Sequence, residues 1–496
     1  MANGNIHVTI SGDVRVADAD VVPISDDVEN LRDSVQSICP LPPEGAGPNV
    51  LMITVDDAWA GEFSPFGADP GQNEAATPNI NRLAAAGVVF ERAYSKPLCS
   101  PSRGAINTGR YGFHTGLGQL AGESGGAPLS LSETLIPTIL CARGYVSACI
   151  GKWHLAGVEN GGERHPLLAG YHFWRGSLRN FAQPAENHYL WQRTTASLDP
   201  DATQGIDVFV QTVARWAAEQ TIDDALGWIN AQSEPWFCNL NFNSVHTPIQ
   251  GPPAGTFDAA SYPDVVPGTY DGDRTNRFKA MIENVDFEIG RLLSSLPTEL
   301  LGRTHVIVLA DNGTNRVQPP WPETHVKRTC YEPGIHVPLV WAGPGIAGGG
   351  RRYPHWIQFE DLFVTIAELA GTDFATDWPG LELDGLSFVP ALTDPAAGEI
   401  RTVCYTEAFA PNVPHSGAVN GGLRCVQRLH SDGKRYKLMR FVAGLTPDAT
   451  DEMYNLTDDP VELTNLIPGG TPRNLTPVEL AAYNQLWADF IATVNS

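Results

Sequence analysis

Four clusters of polar residues stand where apolar runs of the sequence end. The runs predict buried strands, and functional sites in open α/β sheets form beyond the carboxyl ends of strands. Each cluster alone has an ordinary interpretation, since paired aspartates often cap helices, lone histidines often pack in cores, and Asp-Asn-Gly is a good turn. Their shared position at four strand ends predicts one common site. The clusters are Asp56-Asp57, Lys152-x-His154, His246 and Asp311-Asn312.

Oxygen atoms dominate the potential metal ligands in these clusters. Asp56, Asp57 and Asp311 supply carboxylates, and Asn312 supplies an amide oxygen. Hard donors of this kind suit Ca²⁺ or Mg²⁺ rather than Zn²⁺. The sequence therefore indicates a divalent-cation site assembled from two distant parts of the chain.

The most distinctive run is Cys99-Ser100-Pro101-Ser102-Arg103, with Thr108-Gly109-Arg110 close behind it. For Cys99 alone, a buried thiol beside a proline turn is the favoured interpretation, because free cysteine behaves as a small hydrophobe. The whole run, however, resembles the signature of the type I sulfatases, C-x-P-S-R followed by T-G-R. So many fixed positions in so short a stretch argue against a chance match.

The resemblance to type I sulfatases extends over nearly the whole core of the chain. Pro333 stands where that family usually has glycine, so the local turn is expected to differ. Residues 1–47 and about 156–210 resemble nothing specific. The stretches that carry the resemblance are Asn49–Trp59, Thr77–Val88, Gly151–Leu155, Ser244–Pro248, Ala310–Gly313, Lys327–Pro338 and Asp451–Leu466.

The resemblance implies a sulfatase that hydrolyses a sulfate monoester to an alcohol or phenol and inorganic sulfate. It implies that a formylglycine-generating enzyme converts Cys99 to formylglycine, whose hydrated aldehyde is the nucleophile. An oxygen of that modified residue would complete the metal site. Ca²⁺ is the expected ion, and Mg²⁺ is the weaker candidate.

Roles for the remaining polar residues also follow from the resemblance. Arg103 and the metal favour an alkoxide-like oxygen on residue 99. Lys152, His246 and Lys327 hold the sulfate and help to neutralise the leaving oxygen. His154 takes a proton from the second hydroxyl, which allows sulfate to be expelled.

Two alternative functions stay open. Phosphonate monoester and phosphodiester hydrolases of the same alkaline phosphatase superfamily share the nucleophile, but they commonly carry D-H-G where this chain has Asp311-Asn312-Gly313. A non-catalytic sulfate-ester-binding protein should have lost a ligand or the nucleophile, and none is missing. The leaving group is equally open among aryl, alkyl, choline-type and carbohydrate esters. Residues that either shape it or simply pack are His172, Trp174, Arg179, Tyr189 and Trp191.

Charge and targeting features limit the partners and the location. With 56 acidic and 32 basic residues, the formal charge is -24, which argues against nucleic acid and anionic membranes as partners. Because a sulfate ester is also an anion, a metal ion together with local cations would have to make the predicted site positive. The start of the sequence lacks a secretory signal, and no apolar run is long enough to cross a membrane. The eight cysteines form no C-x-x-C pair, so reduced thiols and a cytoplasmic location are predicted. The sequence gives no indication of the oligomeric state.

Alternation of strand and helix patterns predicts an α/β fold with a large, mostly parallel sheet sandwiched by helices. A smaller C-terminal α+β subdomain with an antiparallel sheet is expected, because a hairpin pattern and a capping box occur late in the chain. The predicted division is an N-terminal extension over 1–47, a catalytic domain over 48–390 and the subdomain over 391–496. A hairpin arm is predicted within 6–22, and a helical period over 205–228.

Overall fold

The structure is a computed structural model that describes residues 47–66, 74–122, 126–198, 205–233, 235–316, 320–412, 422–441 and 445–496. The hairpin arm predicted within residues 6–22 lies outside these ranges. No helix in the described ranges is long and apolar enough to cross a bilayer.

Eleven strands of the described chain form the main sheet. Their order is β11-β2-β10-β8-β1-β7-β3-β4-β5-β6, and β9 pairs with β2. The strands are β1 (Asn49–Val55), β2 (Val88–Tyr94), β3 (Val146–Gly151), β4 (Phe173–Gly176), β5 (Trp191–Leu198), β6 (Ile206–Val213), β7 (Trp236–Asn241), β8 (Thr304–Ala310), β9 (His336–Val337), β10 (Leu339–Ala342) and β11 (Arg351–Gln358).

The centre of the sheet is parallel and buried. Strands β8, β1, β7 and β3 are parallel neighbours, whereas β10 and the β4–β5–β6 side contribute the antiparallel pairs. Every residue of β1 and β8 is buried, as expected for continuous apolar runs in a sheet covered on both faces. Asn241 pairs with both Thr54 and Gly151, and Val55 pairs with Ala310, so the carboxyl ends of these strands are level.

Helices pack in two groups around this sheet, and the last helix, Pro477–Val494, packs instead on the C-terminal sheet described below. The first, second and longest members are α1 (Pro78–Ala86), α2 (Cys99–Thr108) and α4 (Arg274–Ser295); the others of nine or more residues in the described ranges are α3 (Ala217–Asn230), α5 (Phe359–Leu369) and α6 (Pro477–Val494). Helices α1 and α3 pack on α4, and α2 packs on α5. Shorter helices are Gly112–Thr115, Ile136–Cys141, His165–Leu168, Thr298–Leu301, Glu332–Ile335, Phe374–Asp377 and Val389–Thr393.

A separate antiparallel sheet follows in the C-terminal region. It consists of β12 (Val403–Phe409), β13 (Gly422–Leu429), β14 (Arg435–Arg440) and β15 (Glu452–Asn455), in that order. The predicted hairpin is the β13–β14 pair. Helix α6 packs on both strands and begins with the predicted capping box, in which Thr476 and Glu479 exchange hydrogen bonds of 2.8 and 3.3 Å. The predicted α/β class with an additional antiparallel sheet is confirmed.

The helical period predicted over 205–228 is wrong in its first half. Ile206–Val213 is the edge strand β6, and the helix begins only at Ala217. The segment carries isoleucine, valine, phenylalanine and threonine, which suit a pleated strand, and its pairing with β5 overrides the apparent helical period.

The prediction of uniformly reduced cysteines is also wrong. Cys141 is disulfide-bonded, although nothing in the cysteine spacing signals a bond. The argument from reduced thiols for a cytoplasmic location is thereby lost. The free cysteines in the described ranges are Cys99, Cys149, Cys238, Cys330, Cys404 and Cys425.

Candidate active site

The four predicted polar clusters meet at the carboxyl ends of four adjacent strands. Asp56 and Asp57 follow β1, Asp311 and Asn312 follow β8, Lys152 follows β3, and His246 lies shortly after β7. Backbone hydrogen bonds hold these connections side by side: the Asp311 amide donates to Val55 at 2.9 Å, the Lys152 amide to Asn241 at 2.9 Å, and the Asp56 amide to Ser244 at 2.9 Å.

Two residues of the site have backbones that non-glycine residues rarely adopt. Asp57 has φ of 66° and His154 has φ of 62°. Such left-handed conformations cost of order 1–3 kcal/mol and concentrate at functional sites. Around Asp57 the conformation is held by hydrogen bonds, because its amide donates to Asp311 Oδ1 at 3.2 Å and its Oδ1 accepts from Asn312 Nδ2 at 2.9 Å.

Cys99 lies at the centre of the cluster. It is the first residue of α2 and is fully buried. Its Sγ lies 3.5 Å from Asp56 Oδ1 and 3.8 Å from Asp57 Oδ1. The Nζ atoms of Lys327 and Lys152 lie 3.2 and 3.6 Å from the same sulfur. Residue 99 is thus surrounded by two carboxylates and two ammonium groups at a helix N-terminus.

Arg103 follows Cys99 by one helical turn and points to the same site. Its Nε and Nη2 lie 3.0 and 2.8 Å from Asp311 Oδ2, and its Nη1 donates to Asn241 Oδ1 at 2.9 Å and to the Lys152 carbonyl at 3.1 Å. Burial acts to lower the pKa of Arg103, but the neighbouring acidic groups, led by Asp311 and then Asp56, together outweigh burial, so the pKa lies above its ordinary value. The guanidinium is therefore a fixed positive charge.

Paired charges set the protonation of the aspartates. Lys152 Nζ donates to Asp56 and Lys327 Nζ donates to Asp57. Burial acts to raise the pKa of both aspartates, but the lysines and then His246 outweigh burial, so both pKa values lie below the ordinary value. Both carboxylates are accordingly ionised at neutral pH and available as ligands or counter-charges.

The two predicted histidines are placed differently. His246 Nε2 lies 3.7 Å from Asp57 Oδ2, and its Nδ1 lies 2.9 Å from the Thr247 carbonyl, which favours a proton on Nδ1. Burial lowers the pKa of His246. His154 is buried, and its backbone carbonyl accepts a hydrogen bond of 2.7 Å from Ser100 Oγ, so it is tied to the residue next to Cys99.

The donor set fits a hard divalent cation. Ligand atoms of Asp56, Asp57, Cys99 and Asp311 all lie within 4.8 Å of one another. The buried Oδ1 of Asn312 accepts no hydrogen bond from any residue that the structure describes. An ion would give that oxygen a partner and balance the carboxylates, as the chemistry of an oxygen-rich site requires. The predicted metal residues are therefore brought together.

Three further polar residues complete the site, and the sequence analysis missed them. Asn241 ends β7 and anchors Arg103; its position at a strand end level with Gly151 was an available signal. Asn180 Oδ1 accepts from Lys152 Nζ at 2.7 Å, and His188 Nε2 lies 3.0 Å from the His246 carbonyl. Both lie in the stretch without family resemblance, where nothing signalled them.

The aromatic residues of that stretch mostly pack in the interior. Trp174 is fully buried in the main core, and Trp191 packs with Phe181 in a small cluster. His172 Nδ1 accepts from the Ser147 amide at 3.0 Å within the sheet. Arg179, in contrast, lines a cavity of about 620 Å³ formed by residues 158–179 and 205–208. Trp174 and Trp191 therefore pack in the interior, whereas Arg179 lines a cavity.

Known proteins resemble this chain in sequence and in fold. The sequence model of the family described as Sulfatase matches residues 48–372, and the one described as N-sulphoglucosamine sulphohydrolase, C-terminal, matches residues 323–480. N-acetylgalactosamine-6-sulfatase of Sus scrofa is 28% identical over 70% of this chain. The chain spans 66% of the length of that relative.

Two other likenesses cover more of the chain. Arylsulfatase A of Homo sapiens is 28% identical, and the match covers 88% of this chain and 87% of the human protein. The solved structure of Ps i-CgsB in complex with k-i-k-neocarrahexaose is 21% identical, with a TM-score of 0.66 over 90% of this chain and 93% of that one. This structural likeness establishes a shared fold.

Proposed function

Because the chain belongs to the sulfatase family, we propose that it hydrolyses a sulfate monoester to an alcohol and inorganic sulfate. One observation carries the proposal: residue 99 lies between two ammonium groups and a set of oxygen donors, in a buried site at the ends of four parallel strands. Such a site concentrates positive charge for an anionic ester on a strongly acidic protein.

The nucleophile is residue 99 after conversion to formylglycine. Burial raises the pKa of the Cys99 thiol well above its ordinary value despite the nearby lysines, so the thiol is neutral and poorly nucleophilic near pH 7. Formylglycine at this position would supply a hydrated aldehyde that can attack sulfur and later release sulfate. A formylglycine-generating enzyme is accordingly the proposed maturation partner.

The cationic side chains bind the sulfate and the leaving oxygen. Lys152 and Lys327 both reach residue 99. Burial acts to lower the pKa of each lysine, but the neighbouring acidic groups, led by Asp56 at Lys152 and by Asp57 at Lys327, together raise it further. Both lysines therefore stay protonated. They stabilise the negative charge that moves toward the ester oxygen as the S–O bond breaks.

Two histidines move protons in this proposal. His246 lies beside Asp57 with Nε2 toward the site, where its doubly protonated form can donate a proton from Nε2 to the departing alcohol. His154 takes the proton that must leave residue 99 before sulfate is released. Arg103, fixed by Asp311, orients residue 99 through their shared position on the first two turns of α2.

Asp56, Asp57, Asp311 and Asn312 would hold a divalent cation, for which we propose Ca²⁺ before Mg²⁺. Carboxylate and amide oxygens suit either ion, and the resemblance to type I sulfatases favours Ca²⁺. Bound there, the ion would supply positive charge next to residue 99.

For the leaving group we propose a carbohydrate. Two of the similar proteins are named for, or solved with, sugars: an N-acetylgalactosamine-6-sulfatase and Ps i-CgsB with k-i-k-neocarrahexaose. The cavity of about 620 Å³ beside Arg179 has the size of a ligand pocket. Leu178 in its lining bonds to the His154 amide at 2.8 Å, and Asn180 contacts Lys152, so the cavity borders the site. Asn312, in place of the histidine of phosphodiester hydrolases, favours sulfate over phosphate esters.

The test is a substrate panel on protein produced with a formylglycine-generating enzyme. N-acetylgalactosamine 6-sulfate, 4-nitrophenyl sulfate and bis(4-nitrophenyl) phosphate would be compared by kcat/KM, with Cys99→Ala as the matched control. Fastest turnover of the sugar sulfate, lost in the control, is expected. Faster phosphodiester hydrolysis, or equal activity of Cys99→Ala, contradicts the proposal.

A further inference from the structure

A second cationic cleft lies outside the catalytic centre. It has a volume of about 310 Å³ and is lined by residues of β2, β11 and β14 and by two loops of the main domain. Trp59, two residues after Asp57, and Trp321, six residues before Lys327, belong to its lining. The loops that carry the catalytic residues therefore also carry the walls of the cleft, and the Cα atoms of Asp57 and Trp59 can be at most about 7 Å apart.

The arginines of the cleft outnumber its carboxylates. Arg92, Arg352 and Arg435 all line it. Arg352 is paired with Glu91. Arg92 and Arg435, in contrast, form no ion pair with any residue in the described ranges: Arg92 Cζ lies 5.8 Å from the Trp356 ring centroid, and Arg435 Nη2 donates to the Leu456 carbonyl at 3.3 Å.

The nearest available carboxylate is already occupied. Glu332 also lines the cleft, but its Oε1 binds Lys437 at 3.0 Å and its Oε2 accepts from Tyr94 at 2.9 Å. Burial, followed by the charge of Arg435, lowers the pKa of Arg92. Arg92 and Arg435 therefore disfavour each other's charge, and Glu91 and Glu332 offset this effect only in part.

The tryptophans add unsatisfied donors to this charge. The Trp59 and Trp321 rings meet edge to face at 4.9 Å, and each side chain is only 5% exposed. Neither indole N–H finds an acceptor among the residues that the structure describes. Buried N–H groups without partners are rare, and here two of them belong to side chains that line the cleft of Arg92 and Arg435. All four side chains are hydrogen-bond donors, and the two guanidinium charges favour an anionic acceptor.

We propose that this cleft binds the sulfate group of a second saccharide unit, so that the chain prefers glycans with more than one sulfate. This rests on the proposed function, because it takes the glycan at the catalytic centre as the source of the second group. A volume of about 310 Å³ holds more than a lone oxyanion, and indole faces suit the apolar face of a sugar ring.

Isothermal titration of the thiol form of the chain, which is not expected to turn over, tests the proposal. The probes are a fully sulfated heparin hexasaccharide, its desulfated counterpart and inorganic sulfate. The variant Arg92→Gln/Arg435→Gln should weaken hexasaccharide binding at least about tenfold, because hydrogen bonds to charged groups are lost. Arg428→Gln, whose arginine pairs with Asp489 away from the cleft, is the matched control and should bind as wild type does.

Three results would overturn the proposal. One is an unchanged dissociation constant for the hexasaccharide in the double variant. Another is a loss confined to inorganic sulfate, which identifies a free-anion site. The third is an equal loss for the desulfated probe, which carries carboxylates only. Failure of sulfate-ester hydrolysis with intact cleft binding would instead reject the proposed function, so the two outcomes can be told apart.

Thermal melting checks that the variants fold and supplies an independent measurement. Without a probe, the double variant should melt no lower than wild type, since like charges are removed. The hexasaccharide should raise the melting temperature of wild type more than that of the double variant. Trp321→Phe, which removes one indole N–H, should weaken binding by a smaller factor than the double variant. Equal stabilisation of wild type and double variant contradicts the proposal.

Discussion

Two buried ionic clusters of this protein differ in how completely their polar atoms are paired. Around Lys437, Nζ contacts Glu332 at 3.0 Å and Glu462 at 2.7 Å, and the second oxygen of Glu462 accepts from the Glu332 amide at 2.7 Å. At the catalytic centre, Asn312 Oδ1 and Asp57 Oδ2 accept no hydrogen bond from the described residues. The Lys437 cluster connects elements, whereas the catalytic centre keeps binding capacity for an ion and a substrate.

The difference shows what buried charge is used for. A fully paired cluster, such as the one around Lys437, lowers the stability of the fold strongly when one of its partners is removed. The catalytic centre keeps unpaired polar atoms at a standing cost in stability, which is typical of functional sites. Substitutions in the two clusters should therefore separate loss of activity from loss of folding.

The largest expected effect is at Asp311. Asp311→Ala removes a metal ligand and the partner of buried Arg103, so activity should fall roughly a thousandfold or more. Metal content, measured by plasma mass spectrometry, should fall with it. Asp311→Asn keeps one oxygen donor, so its activity and metal content should lie between those of wild type and Asp311→Ala. Full metal content in Asp311→Ala would refute the assignment of the ligands.

The Lys437 cluster should show the opposite behaviour, which is a loss of stability without a loss of activity. Lys437→Met leaves two buried carboxylates without their cation, so the free energy of unfolding should fall by about 3–5 kcal/mol in urea titrations. The activity per folded molecule should stay unchanged at low temperature. If activity falls while stability is retained, Lys437 belongs to the catalytic machinery and the comparison fails.

Lys327 should affect the rate in a way that depends on the leaving group. Lys327→Ala should slow hydrolysis of an alkyl sulfate by roughly 10–100-fold and that of an activated phenyl sulfate by much less, because a phenolate leaves without help. The measurement is kcat/KM across esters of graded leaving-group pKa. Equal losses across the series would assign Lys327 to binding alone.

The remaining prediction concerns acid stability. His165, His172 and His305 each accept an N–H through Nδ1, at 3.0, 3.0 and 3.1 Å. Burial lowers the pKa of each to about 4. Since the unfolded pKa is near 6.5, their contribution, up to about 3 kcal/mol each, is complete above that pH and is lost as the pH falls toward 4. Urea titrations at pH 7.5 and 5 should show this loss, and it should shrink in His172→Gln.

Much of the site could be predicted from the sequence, because continuous apolar runs identify the central parallel strands. Asp56, Lys152 and Asp311 follow such runs, and parallel strands bring their carboxyl ends to one edge. Asn180 could not be predicted, because it lies in a segment whose only signal is density of aromatics. The arginine cleft was equally hidden, since Arg92 and Arg435 meet only in three dimensions. The division of domains near residue 390 stays a prediction.

The most direct test of the central claim measures residue 99 itself. Preparations with graded exposure to a formylglycine-generating enzyme would be analysed by peptide mass spectrometry and assayed for sulfate release. Activity is predicted to rise in proportion to the formylglycine fraction and to vanish at zero conversion. Full activity in protein that carries only the Cys99 thiol would contradict the account.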